Sequence, residues 1–145
     1  MATRRDVLKL GALAAAYAAA GDDVFAAAGD AKIGLIFPPL NYPIPPDAKR
    51  LYPTGVEFLS GGVGLPGGMT IEGYDEAVPR ILPEAQRLAK DGAKIVSVFG
   101  SSLTFYKGAK WHQELIDKVS KATGLPATTQ SAGLLDGLKV VNARR

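Results

Sequence analysis

AKIVSVFGSSLTFYKG, residues Ala93–Gly108, joins a short run rich in Ile, Val and Phe to an abrupt sequence of glycine and small hydroxyls. A brief β-branched run that stops at glycine reads as a buried strand, here Ala93–Phe99, followed by a tight turn. Working outward, KWHQELIDKVSKATG carries Trp111, Leu115 and Val119 on one helical side and ends at Gly124, a helix-stop glycine. PATTQ then reads as another strand, leading to a helix over 131–141. Upstream, YDEAVPRILPEAQRLAKDG spaces Ala77, Ile81, Ala85, Leu88 and Ala89 as a helical stripe closed by Gly92, with Pro79 tolerated in a first turn. AKIGLIF (Ala31–Phe37), stopped by Pro38 and Pro39, and VEFLS (Val56–Ser60) supply two more strands. Alternating strands and helices predict an α/β domain of the flavodoxin-like kind, a parallel sheet covered by helices on both faces. In such sheets ligands sit at the carboxyl ends of the strands, where Pro38-Pro39 and Gly100-Ser101-Ser102 both fall.

The chain has 145 residues, 47% hydrophobic and 21% charged, which suits one globular domain. Its net charge of +3 is scattered among both signs with no basic stripe, so nucleic acid is not an expected partner. It contains no cysteine, which excludes disulfides, thiolate metal sites and a cysteine nucleophile of its own; a single histidine excludes a multi-histidine metal site.

Residues 1–30 read as an address. Arg4, Arg5 and Lys9 precede an alanine-rich apolar run over Leu10–Ala20 and small residues around Ala26–Ala28, the order of a secretory signal whose twin arginines point to the Tat route. The run is too short for stable membrane insertion, which needs about 20 apolar residues. Cleavage near Ala28 removes three positive and three negative side chains and leaves the net charge at +3. The mature domain, 31–145, is thus expected in the periplasm or outside the cell, or in the cytoplasm if the leader is not used.

Three stretches are candidates for chemistry. Gly62, Gly64 and Gly67 in GVGLPG spell a dinucleotide-type glycine pattern, but Pro66 interrupts it and no helix opens at once, so a flexible loop able to cover a pocket is the better reading. His112, beside Gln113 and Glu114, reads as a solvated or capping histidine, with general acid-base work as the alternative. Gly100-Ser101-Ser102 lacks both the nucleophile-elbow pattern and a histidine partner, which argues against a serine hydrolase. Hydroxyls and successive backbone N–H groups at a strand end suit an anion. On residues alone, a purely structural strand-to-helix connection fits equally well, since serines also cap helices.

IGLIFPP, RLYPTGVEFLSGGVGL, TIEGYD, AKIVSVFGSSLTFYKG and TGLPATTQSAGLLDGL together resemble the N-terminal half of the arylmalonate decarboxylases, within the aspartate/glutamate racemase and maleate isomerase superfamily. The resemblance implies a cofactor-free carbon–carbon lyase acting on a small malonate or other dicarboxylate, with one key position on each of two similar halves. Racemases and maleate isomerases carry cysteine at both positions; the decarboxylase pattern has glycine at the first, which Gly100 matches. By the same resemblance Ser101 and Ser102 match oxyanion donors, Pro38 and Pro39 a wall of the site, Leu65 and Met69 an apolar pocket around the leaving carboxylate, and Tyr74 a further lining residue. Departures are the extra residue in GLPGGMT, Ser101 in place of threonine, and the export leader. The family's proton-donating cysteine belongs to a C-terminal half, and the sequence reaches LKVVNARR where that half is expected to begin. A separately encoded second half, self-association through the surface that would meet it, an exported dicarboxylate binder, and a truncated fragment are the resulting expectations.

Overall fold

The computed structural model describes residues 31–52 and 54–143, so the leader reading of residues 1–30 lies outside the described part. The elements in chain order are β1 (Ala31–Phe37), α1 (Pro46–Leu51), β2 (Val56–Gly62), α2 (Ile71–Ala77), a 3-10 turn (Val78–Arg80), α3 (Ile81–Lys90), β3 (Ile95–Val98), α4 (Ser101–Phe105), α5 (Gly108–Thr123), β4 (Ala127–Thr129) and α6 (Gln130–Val140). The strands form one parallel sheet in the order β2-β1-β3-β4. This is the flavodoxin-like order, in which the chain leaves β1 toward one edge and later returns to build toward the other. The carboxyl ends of β1 and β3 therefore flank the switch point, the place where ligands bind in sheets of this kind.

Pairing registers Ile33 with Ile95, Ile36 with Val98, and Phe37 with Gly62. Alternate residues face opposite sides of the sheet. Gly34 and Ile36 of β1, Leu59 and Gly61 of β2, and Val96 and Val98 of β3 face α3 and α5, which pack side by side. A Cβ on Gly34 would stand 3.2 Å from the Leu88 side chain, so glycine there lets α3 approach the sheet closely. On the other side Phe37 stacks on Tyr42 and Phe99, with ring centroids 4.7 and 5.0 Å apart, and Phe58 meets Tyr52 at the end of α1. Helices thus lie on both faces. The buried core joins Ile36, Val63, Ile81, Leu88, Val96, Val98, Leu103, Leu115 and Val119.

The single helix expected across 74–92 is instead α2, a 3-10 turn and α3. Pro79 lacks an N–H and sits inside the 3-10 turn, while Pro83 is accommodated in the first turn of α3, where no intrahelical partner is lost. The apolar stripe survives because the break is tight, and Ala77, Ile81, Ala85 and Leu88 are all buried. Strand PATTQ is shorter than expected: β4 stops at Thr129, whose hydroxyl caps α6 by accepting from the Ala132 N–H at 3.0 Å.

Candidate functional site

Gly100, two residues past β3 and at the cap of α4, has φ 95° and ψ 93°, a conformation side chains rarely adopt. A Cβ there would come 2.6 Å from Pro38 Cγ, so the turn after β3 lies directly against the turn after β1. Glycine is thus favoured twice at position 100, once by its backbone angle and once by this contact. α4 opens immediately afterwards, with Leu103 and Thr104 facing inward and Ser101 and Ser102 exposed at the carboxyl edge of the sheet. Among the described residues, neither serine hydroxyl has a hydrogen-bond partner, so both are available to a ligand.

The turn is held from behind by the start of α6. The Gly100 N–H donates to Gln130 Oε1 at 2.9 Å. Its carbonyl accepts from the Thr104 N–H at 3.0 Å and lies 3.1 Å from Thr104 Oγ1. Thr104 and Ser131 are both fully buried and share a 2.5 Å hydroxyl contact, with the Ser101 carbonyl within 3.2 Å of Thr104 Oγ1. Buried polar groups are tolerable only when paired in this way.

Of the other residues singled out from sequence, Pro38 is brought against Gly100, and the backbone of Pro39 and Leu40 lies against Gly62. Tyr74 is 7% exposed and belongs to the core, where its ring meets Tyr106, one residue beyond α4. Leu65 packs against the core, whereas Met69 is 80% exposed and is not gathered to the turn. The Tyr106 hydroxyl donates to Asp75 Oδ1 at 2.8 Å, and Lys107 pairs with the same carboxylate at 2.5 Å. This latch ties α2 to the segment carrying the serines. Hydrogen bonds from Lys107 and Tyr106 hold the Asp75 carboxyl below its ordinary range, and the bond to Asp75 raises the Lys107 ammonium. Burial, with the Asp75 bond second, pushes the Tyr106 phenol up.

Two expectations are corrected. His112 is not solvated: it is 7% exposed, with Nε2 2.6 Å from Thr129 Oγ1 and its ring against Phe105. It shares the inward side of α5 with Leu115 and Val119, at helical spacing, and fastens α5 to the end of β4. The GVGLPG segment is not a loose cover throughout. Val63 is fully buried, its N–H bonded to the Phe37 carbonyl and its own carbonyl accepting from Arg80, so that only residues 66–70 stand exposed.

An open cleft of about 450 Å³, lined by Leu40, Asn41, Tyr42, Pro43 and Ser60, begins one residue after Pro39 and does not include the Gly100 turn. Among the described residues no cluster of His, Cys, Asp or Glu could hold a metal ion, and no helix is long and apolar enough to cross a membrane. Thr104, Gln130 and Ser131 escaped the sequence reading as site residues. Gln130 and Ser131 stand in the ATTQS run, which reads as a strand end, and Thr104 in the SSLTF stretch just after the turn.

A family model described as arylmalonate decarboxylase matches residues 33–145. The arylmalonate decarboxylase of Bordetella bronchiseptica is 44% identical over 113 residues, which are 78% of this chain and 46% of that protein. A liganded arylmalonate decarboxylase carrying glycine-to-cysteine and cysteine-to-serine substitutions superposes with a TM-score of 0.74 at 43% identity, covering 79% of this chain and 48% of the other. The maleate isomerase of Pseudomonas putida S16 shares the fold, with a TM-score of 0.69 at 19% identity over 80% of this chain and 51% of its own. The chain spans about half the length of the relatives it matches.

Proposed function

The chain belongs to the arylmalonate decarboxylase family, and on that premise we propose that its Gly100–Ser102 turn is the anion-holding half of a cofactor-independent decarboxylase of disubstituted aryl malonates. The observation that carries the reading is the turn itself: a glycine fixed at positive φ beside Pro38, followed by two exposed and unpartnered hydroxyls at the switch point of the sheet.

In this reading one malonate carboxylate is held by Ser101 and Ser102. The other faces apolar surroundings to which Pro38, Pro39 and Leu65 contribute, with Tyr74 as part of the supporting wall. A carboxylate poorly solvated there gains by leaving. Its bond to the central carbon breaks, carbon dioxide departs, and the electron pair passes into the retained carboxylate as an enediolate. Donors already aimed at that carboxylate stabilise the charge as it grows, without reorganising. The central carbon then takes a proton. This chain has no cysteine, so a proton donor of that kind comes from a second half meeting the same edge. Exposed apolar side chains, among them Leu40, Met69, Ile71, Phe105, Leu134 and Leu138, suit such a partner. Without it, the same cradle is a binding site for a small dicarboxylate. The leader reading places either activity after export by the Tat route.

Titration of the full chain with phenylmalonate tests the assignment. A hydrogen bond to a charged group is worth about 1.5–3 kcal/mol, so Ser101→Ala weakens binding by about tenfold or more. Equal affinity in wild type and Ser101→Ala would remove the cradle from this turn.

A further inference from the structure

We infer that Gln130 is a positioning residue, whose side chain completes the sheet ladder one rung past β4 and thereby sets the orientation of the Gly100 peptide. The inference rests on the reading of Gly100–Ser102 as an anion cradle.

Val96 pairs with Ala127, and the Val96 N–H donates to the Pro126 carbonyl; Val98 pairs with Thr129. A parallel ladder repeats every two residues, so the next donor on β3 is the Gly100 N–H and the next acceptor on the β4 side is the backbone carbonyl of residue 130. That carbonyl is not available, because α6 has already begun at Gln130. The glutamine side chain takes its place, with Oε1 accepting from Gly100 at 2.9 Å. Only the oxygen end of the amide can accept, which fixes the side chain's orientation.

The consequence is specific to this turn. On the β1 side the ladder is still made by backbone, with the Phe99 N–H on the Ile36 carbonyl at 2.8 Å. Beyond it, Pro38 crowds Gly100 and offers no N–H. Gln130 therefore holds the N–H of Gly100, while Thr104, buried and paired in turn with buried Ser131, holds its carbonyl. Clamped at both ends, Gly100 keeps its positive φ, and Ser101 and Ser102 leave the turn in a fixed direction. Gln130 touches no ligand in this scheme; it acts through the glycine.

Gln130→Met keeps side-chain length and removes the acceptor, while Gln130→Glu keeps the acceptor. Amide hydrogen exchange at Gly100, read by NMR on the full chain, is expected to quicken by about tenfold in Gln130→Met and to stay near wild type in Gln130→Glu. The global unfolding midpoint stays near that of wild type, because the bond is exposed. Phenylmalonate affinity falls by about fivefold in Gln130→Met. If Gly100 exchange is unchanged in Gln130→Met, the clamp is refuted whether or not phenylmalonate binds. If exchange quickens but affinity holds while Ser101→Ala loses it, the positioning role is refuted and the cradle stands. If Ser101→Ala also leaves affinity unchanged, the cradle reading falls and the positioning role falls with it.

Discussion

Gly100→Ala opposes two features of the turn at once, and the structure sets the size of the effect. At φ 95° and ψ 93° a side chain occupies a sparsely populated region, at a cost of about 1–3 kcal/mol. The new Cβ would sit 2.6 Å from Pro38 Cγ, well inside the carbon–carbon optimum of about 3.5–4.0 Å. Relieving such overpacking adds about 1–3 kcal/mol. The stiffer unfolded chain returns about 0.4–1 kcal/mol, leaving a net loss near 3 kcal/mol. Urea unfolding of wild type, Gly100→Ala, Pro38→Ala and the double variant separates the parts. Removing the proline ring relieves the clash but not the backbone, so the double variant should recover about 1 kcal/mol through coupling and no more than half the loss. Gly137→Ala is the control, because a Cβ there meets nothing within 4 Å. Inside α6 it should stabilise by about 0.5–1 kcal/mol. A Gly100→Ala variant within about 0.5 kcal/mol of wild type, the range of ordinary surface changes, would show that neither the backbone angle nor the Pro38 contact favours glycine there.

Thr104→Val keeps shape but takes from Ser131 its closest hydroxyl partner in a fully buried position; equilibrium unfolding should show a loss of about 1–3 kcal/mol. Asp75 titrates below its ordinary range because of Lys107 and Tyr106. Its contribution is therefore present above the unfolded carboxylate value and lost as pH falls through the lower folded one. NMR titration of the Asp75 carboxyl should show that midpoint, and Lys107→Ala should move it back up. Leu134→Glu with Leu138→Glu, both exposed on α6, should leave the unfolding midpoint within about 0.5 kcal/mol of wild type and lower any self-association seen by analytical ultracentrifugation.

The legibility of the fold varied with how local its causes were. β1 and β3 were visible because short apolar runs end at Pro38 and Gly100, and those two stops also located the switch point. The break between α2 and α3 was hidden because the apolar stripe runs through it; two prolines change the backbone without changing which residues face the core. His112 was misread because its neighbours Gln113 and Glu114 are polar, although His112, Leu115 and Val119 share the inward side of α5 better than Trp111 does. In the site, Gly100, Ser101 and Ser102 were legible as a turn. The clamp of Gln130 and Ser131 was not, because it is made by side chains that meet the turn across about thirty residues of chain, where no periodicity reports it.

We propose that this chain supplies the anion cradle of a decarboxylase completed by a second, cysteine-bearing half. Carbon dioxide release from phenylmalonate by the chain mixed with the separately produced C-terminal half of an arylmalonate decarboxylase tests it directly. Turnover is expected only in the mixture, reduced in Ser101→Ala by about 10²–10³-fold, the usual effect of removing one oxyanion donor. No turnover in the mixture, or turnover undiminished by Ser101→Ala, would contradict it.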